Sequence, residues 1–97
     1  MFGLYYNKGN FNVDISGWDV SKVTTMYGMF VYAITFDQAI SSWDVSKVTN
    51  MDAMFYYATA FSQNLSTWCV EKIGPPAPPN FDQGAGVITE PSWGASC

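Results

Sequence analysis

The stretch FDQAISSWDVSKVTNMDAMFYYATA, residues 36–60, decides the fold prediction, because the 25 residues before it repeat it without a gap. That preceding copy, FNVDISGWDVSKVTTMYGMFVYAIT (11–35), matches at 15 of 25 positions. A third copy, FSQNLSTWCVEKI (61–73), breaks at a proline-rich run, since prolines cannot continue a helix. Self-similarity at a fixed period is typical of repeat architectures. We divide the single domain, residues 1–97, into a partial N-terminal repeat (1–10), two full repeats (11–35 and 36–60), a partial repeat (61–73) and a Pro-rich C-terminal cap (74–97).

The apolar spacing within each repeat predicts one short strand and one short helix. Ile40, Trp43, Val45 and Val48 follow the spacing of a leucine-rich repeat, in which alternation marks residues 43–45 as the strand. Apolar residues then recur at i, i+3, i+4 and i+7 from Met51 to Ala58, which predicts a helix of about two to three turns. The predicted fold class is α/β: a short leucine-rich-repeat-like solenoid with a disulfide-stapled C-terminal cap. Equivalent side chains should stack in core columns: Phe11, Phe36 and Phe61; Trp18, Trp43 and Trp68; Met26 and Met51; Phe30 and Phe55.

Composition excludes several classes of function. The chain is 48% hydrophobic and 12% charged with a net charge of -4, so it should fold, and it lacks the basic patch that nucleic-acid binding needs. It has no His, which removes the usual catalytic pairs and His-ligated zinc. No apolar run approaches the roughly 18 to 20 residues of a membrane-spanning helix. We therefore expect no enzyme activity, no cofactor, no metal, no nucleic-acid partner and no membrane insertion.

The repeat carries a family resemblance. The phrases FDQAISSWDVSKVTNMDAMFYYATAF and WDVSKVTTMYGMF resemble the roughly 25-residue repeat of the BspA-type leucine-rich repeat surface proteins, also met as a mycoplasma surface-protein repeat of unknown function. The resemblance covers residues 1–73, and the tail with Trp93 and Cys97 is similar to the end caps of such arrays. It implies a non-enzymatic surface or adhesion role and contributes no catalytic residues.

Two cysteines occur at the end of the array. Cys69 occupies the strand position that Asp19 and Asp44 hold in the earlier repeats, and Cys97 is the last residue. A disulfide between them would pin the cap over the last repeat and contribute roughly 3 to 4 kcal/mol. Such a bond would place the protein in an oxidising or extracellular site. The alternative is two unpaired cysteines.

A row of charges follows the predicted strands. Asp19 and Asp44 should lie about 4.8 Å apart on neighbouring strands, with Lys22 and Lys47 three residues after them. One interpretation is a strip that binds a cation or polar ligand. The alternative, which we favour, is that each Asp accepts hydrogen bonds from the turn at Asp-Val-Ser.

Tyrosines flank the apolar face of the predicted helix. Tyr27, Tyr32, Tyr56 and Tyr57 are candidates for an exposed aromatic surface that binds sugars or proteins, and the alternative is packing between repeats.

The sequence leaves two functions open. The first is a surface-exposed module for protein or glycan interaction and adhesion, located outside the cell or on its surface. The second is a structural component that docks by its open edge onto neighbouring subunits of a larger assembly, such as a virion or a surface coat.

Overall fold

The chain folds into turn-rich repeats that lie side by side. A computed structural model describes residue 12 and residues 14–96. In this part of the chain there is no helix and no strand, and extended pairing is limited to two isolated parallel bridges, Thr25 with Asn50 and Asn64 with Thr89. The predicted α/β leucine-rich-repeat-like solenoid, with one strand and one helix per repeat, is therefore wrong.

Alternating hydrogen bonds explain why the apolar-periodic segment is not helical. The N–H of Met54 donates to the carbonyl of Met51 at 3.2 Å, three residues back, whereas the next N–H, of Phe55, donates to the carbonyl of Phe81 at 2.8 Å. Ala53 and Tyr57 likewise donate to the cap segment. An α-helix needs each amide to bond to its own fourth preceding carbonyl. A segment that sends every second amide to a neighbouring repeat cannot meet that condition.

Left-handed residues interrupt the same segment at fixed positions. Ala53 and Tyr57 have φ angles of 56° and 54°, and their equivalents one repeat earlier, Gly28 and Tyr32, have φ angles of 60° and 57°. An L-residue in this region costs roughly 1 to 2 kcal/mol, so a right-handed helix does not pass through it. The N–H of each left-handed residue donates to the neighbouring layer, whereas the N–H of the residue after it bonds to a carbonyl three residues back in its own repeat.

Neighbouring repeats are held in register by bonds from both backbone and side chains. The N–H of Thr49 donates to the carbonyl of Thr24 at 2.8 Å. The indole Nε1–H of Trp43 donates to the carbonyl of Ile15 at 3.2 Å, and that of Trp68 repeats this contact one repeat later. These partners are about one repeat apart in sequence. Equivalent positions therefore face each other.

The core consists of apolar side chains from successive repeats. Phe30 and Phe55 stack with ring centroids 5.4 Å apart, and Phe36 and Phe61 stack at 5.7 Å. Phe81 closes the first of these columns with an edge contact to Phe55. No charged or polar side chain is buried in the described part of the chain. The methionines that share this core are Met26, Met29, Met51 and Met54.

Phe11 and Trp18 are members of the predicted columns that do not belong to the described core. Phe11 lies outside the described residues. Trp18 is 41% exposed, whereas Trp43 and Trp68 are 5% and 4% exposed. The indole N–H groups of the buried pair donate to carbonyls 28 residues earlier. The predicted core role does not hold for Trp18, because a large part of its ring is exposed to solvent.

The cap continues the pairing between repeats after the sequence pattern has ended. The carbonyl of Thr89 accepts the N–H of Leu65 at 2.9 Å, and the N–H of Gly94 donates to the carbonyl of Val70 at 3.1 Å. Together with the bond from Phe55 to Phe81, these contacts place residues 79–94 as one further layer. The proline run at residues 74–79 therefore interrupts the repeat pattern of the sequence, but the layers continue to pair beyond it.

The disulfide predicted between Cys69 and Cys97 is not a described feature of this cap. Cys97 lies outside the described residues, and so does the bond predicted between it and Cys69. The described part of the cap is held by the hydrogen bonds and ring contacts above. The described residues also contain no helix long and apolar enough to span a membrane.

Candidate interaction surfaces

Three aspartates form closed turns with the serine two residues later. Asp19 Oδ1 accepts the backbone N–H of Ser21 at 3.0 Å and its hydroxyl at 2.6 Å. Asp44 does the same with Ser46, at 3.1 and 2.6 Å. Asp14 forms a third such turn. The geometry agrees with the turn interpretation of Asp19 and Asp44 that we favoured over a ligand-binding strip.

These turns lower the pKa of each carboxyl. For Asp44 the hydroxyl and backbone hydrogen bonds from Ser46 are the largest causes, and the charge of Lys47 adds a smaller effect in the same direction. For Asp19 the bonds from Ser21 dominate in the same way, while the neighbouring charge of Asp44 opposes them. The carboxylates are occupied by their own turns, with Lys22 and Lys47 exposed beside them.

Replacing Ser46 by alanine should raise the pKa of Asp44 toward its ordinary value, because the hydroxyl donor that favours the carboxylate is lost. Carboxyl carbon chemical shifts followed by NMR against pH measure this change. Lys47→Ala is the matched control and should move the same pKa less. A larger response to Lys47→Ala than to Ser46→Ala would contradict the assignment of the turn as the main cause.

The tyrosines form a packed ladder. The rings of Tyr32 and Tyr57 stack at 5.6 Å with an interplanar angle of 8°, and Tyr56 meets both at its edge. A Cβ atom built at Gly84 would overlap the ring of Tyr57, so that ring lies directly over the backbone of the next layer. One face of Tyr57 thus packs on Tyr32 and another side on Gly84. The ladder serves packing between repeats while its outer parts stay accessible.

The ionisation of Tyr56 is affected by its position in this ladder. Partial burial raises the pKa of Tyr56 above its ordinary value, and the neighbouring Tyr32 and Tyr57 together with a hydrogen bond to Tyr32 act in the same direction. The Tyr56 hydroxyl therefore stays protonated and able to donate. Tyr27 is exposed as well.

Exposed apolar side chains concentrate in the first full repeat. Ile34 is 49% exposed, and Tyr27 and Tyr32 are 41% and 38% exposed. With Trp18 they form what we call the first-repeat surface. In the second full repeat the positions of Tyr27 and Ile34 are held by Asp52 and Thr59. The same backbone thus accepts polar residues where the first repeat exposes apolar ones.

A carboxyl pair lies in the cap, and the sequence analysis did not find it. Asp82 and Glu90 share a hydrogen bond, and Glu90 Oε1 also accepts the indole N–H of Trp93 at 2.9 Å. Burial is the largest cause that raises the pKa of Asp82 to about 6, followed by the hydrogen bond and the charge of Glu90. Seven residues of irregular chain separate the two acids, so no local spacing signals the pair.

The wild type should lose stability as the pH rises from about 4 to about 6, and Asp82→Asn should not. A raised pKa in the folded state means that the folded chain holds this proton more tightly, so stability falls as pH rises through that window. Asp82 is half-buried, and solvent screening reduces the full effect to about 1 kcal/mol at pH 7. Urea unfolding at pH 4 and pH 7 measures it: the variant should match the wild type at pH 4 and exceed it at pH 7. Equal curves at both pH values would contradict the shared proton.

The described residues contain no group of three or more His, Cys, Asp or Glu side chains placed to hold a metal ion. Cys69 is half-buried in the wall of a groove near the C-terminus.

Comparison with known proteins gives a family and no activity. The family described as "Mycoplasma protein of unknown function, DUF285" matches residues 1–77. No curated protein and no solved structure matches the chain. The match agrees with the mycoplasma part of the resemblance noted in the sequence and does not extend to the BspA-type leucine-rich repeats. The chain therefore belongs to the Mycoplasma DUF285 family, a repeat family of unknown function.

Proposed function

We propose that this chain is a non-enzymatic, surface-exposed repeat module that binds a protein or glycan partner, as in adhesion. The observation that carries the proposal is the first-repeat surface, which exposes Trp18, Tyr27, Tyr32 and Ile34. Aromatic side chains are enriched at binding hot spots, because each buries a large area at a low cost in conformational entropy.

The comparison between the two full repeats strengthens this proposal. Asp52 and Thr59 stand where the first repeat has Tyr27 and Ile34, so the fold does not require apolar residues at these positions. A buried core explains Phe30 or Met29, but it does not explain side chains left in water. A concentration of exposed apolar side chains in one repeat is typical of an interaction site.

The charge arrangement is also consistent with a binding role. The carboxylates of Asp14, Asp19 and Asp44 are occupied by serine turns, and the net charge of -4 does not favour a nucleic-acid partner. We propose an extracellular or cell-surface location. Membership of a Mycoplasma repeat family and the finer resemblance to BspA-type surface proteins support that location.

The test uses the polar residues that the second repeat already carries. The double variant Tyr27→Asp/Ile34→Thr should fold, because the same backbone positions hold Asp52 and Thr59 one repeat later. Wild type and variant are compared by surface plasmon resonance on a panel of purified extracellular-matrix proteins and on a glycan array. We expect at least one panel member to bind the wild type and the variant to bind it about 10-fold or more weakly, equivalent to about 1.4 kcal/mol.

Val87→Thr is the matched control, since Val87 is an exposed apolar residue in the cap, away from the first repeat in sequence. It should bind like the wild type. The proposal fails if no panel member binds, or if the double variant binds as well as the control.

A second candidate is a structural component that docks onto a larger assembly, such as a virion or surface coat. Its specific observation is the exposed ring of Trp18, in a position that Trp43 and Trp68 fill while covered by the preceding repeat. Light scattering at micromolar concentration without reductant tests it. A defined oligomer that Trp18→Ser dissociates would favour assembly, and a monomer near 10.8 kDa would count against it.

A further inference from the structure

A half-open groove of about 280 Å³ lies at the end of the repeat stack, distinct from the first-repeat surface. One side is formed by the turn that carries Trp68, and the other by the C-terminal tail. The residues that give it its chemistry are Ser66, Trp68, Val70, Ser92, Ala95 and Ser96.

The groove exists because the tail places small residues where earlier layers have larger ones. Residues 91–95 follow residues 66–70 by 25 positions, and the Gly94 N–H bond to the Val70 carbonyl at 3.1 Å joins the two segments. Ala95 thus stands at the position of Val45 and Val70, and Gly94 at that of Asp44. The side-chain volume missing from this last layer is left open to solvent.

Free hydroxyl groups line the groove. In the Asp-x-Ser turns the hydroxyls of Ser21 and Ser46 are bound to a carboxylate, but Asn64 replaces the aspartate in the turn before Ser66. Asn64 Oδ1 accepts only the backbone N–H of Ser66 there, at 2.9 Å. Within the described residues, the hydroxyls of Ser66, Ser92 and Ser96 make no hydrogen bond to the protein. Each is available as both donor and acceptor.

No charged side chain lines the groove, so it does not select a cation or an anion. Its hydroxyls suit a ligand that itself carries several hydroxyls, and Ala95 offers exposed apolar contact, while the lining side chains of Trp68 and Val70 are buried. A volume near 280 Å³ is at the small end of ligand pockets, which suits one ring rather than an extended chain. A pyranose combines an apolar ring face with a rim of hydroxyls.

We infer that this groove binds a single neutral sugar unit of a glycan. The inference rests on the proposed function, because it names the ligand class and the place for the glycan alternative. Ligand hydroxyls bond to Ser66, Ser92 and Ser96, and the C–H face of the sugar packs on Ala95. With so few contacts, affinity for one sugar unit should be in the millimolar range, near 4 kcal/mol of binding free energy at about 1 mM.

The test is an NMR titration of the ¹⁵N-labelled chain with three neutral probes: methyl α-glucopyranoside, methyl β-galactopyranoside and N-acetylglucosamine. We expect saturable shifts for at least one probe, confined to the amides of residues 66–70 and 92–96 and to the Trp68 indole. Ala95→Leu fills the groove and should weaken binding about 10-fold or more. Ser92→Ala removes one hydroxyl without adding volume and should weaken it about 3-fold or more, in line with the loss of one neutral hydrogen bond.

Ala39→Leu is the control for the first variant, since it adds the same side chain at an exposed position outside the groove. It should bind like the wild type. The inference is overturned if none of the three probes gives saturable shifts, or if the shifts fall on Tyr27 and Tyr32 and survive in Ala95→Leu. The second result would overturn the groove but would still support the proposed function, with the sugar bound at the first-repeat surface. If no sugar binds, a protein partner that binds the wild type but not Tyr27→Asp/Ile34→Thr would still support the proposed function.

Discussion

Phe55→Ala should lower the free energy of unfolding by about 3 to 5 kcal/mol, the range for removing a buried aromatic ring. Phe55 is fully buried and contacts three other aromatic rings: it stacks on Phe30 at 5.4 Å and on Phe61 at 4.3 Å, and it meets Phe81 edge to face. A cavity at that point removes partners on both sides at once. In a domain of 97 residues, such a loss is a large fraction of total stability.

Urea unfolding followed by tryptophan fluorescence gives the free energy for wild type and variant. Ile34→Ala is the control, since it removes a branched apolar side chain that is 49% exposed, and it should change stability by no more than about 0.5 kcal/mol. If Phe55→Ala costs no more than Ile34→Ala, then the stacked phenylalanines do not form the cooperative core described above.

The apolar spacing located the inward-facing residues of the repeat but not their backbone conformation. Met51, Met54, Phe55 and Ala58, on which a helix was predicted, are all buried. A chain of turns with left-handed residues at Ala53 and Tyr57 directs the same positions inward. Because i, i+3, i+4 and i+7 spacing describes only which residues face the core, it does not distinguish a helix from such turns.

The left-handed positions can be recognised by comparing equivalent residues of successive layers, but not from the sequence of one repeat alone. Gly28 and Asn80 stand in layers on either side of Ala53, and all three have positive φ angles. Gly and Asn are the residues that adopt this region most readily. Their occurrence at equivalent positions in successive layers argues against a helix, but the equivalence of Asn80 is hidden in sequence by the irregular spacing of the proline run.

The candidate surfaces were predictable to different extents. The Asp-Val-Ser turns follow from local chemistry, because Asp and Ser two residues apart form hydrogen bonds within the turn. The partner of Asp82 depends on how the cap folds back, so nothing near Asp82 in sequence points to Glu90. The exposure of Trp18 could not be predicted from the equivalent Trp43 and Trp68, since exposure depends on what covers each ring.

Gly94→Ala should destabilise the chain by about 2 to 3 kcal/mol, the combined cost of a left-handed alanine and a close contact. Gly94 has a φ angle of 74°, and an added Cβ would lie 2.5 Å from the carbonyl oxygen of Gly74 and 2.6 Å from Cδ of Pro75. The oxygen is a backbone atom and the proline ring is rigid, so neither can yield as a flexible side chain would. The bond from the Gly94 N–H to Val70 fixes the tail against the last repeat, which prevents it from moving away.

The matched control is Gly17→Ala, because an added Cβ there meets nothing within 4 Å and the residue has no positive φ. It should change stability by no more than about 0.5 kcal/mol, with either sign. Hydrogen exchange locates the effect: Gly94→Ala should expose the amides of Leu65 and Gly94, which join the cap to the last repeat, before those of Met26 and Phe30. Uniform loss of protection across all four amides would instead mean that the cap and the repeats unfold as one unit. Equal stability of the two alanine variants would mean that residues 74 and 94 are not packed as described.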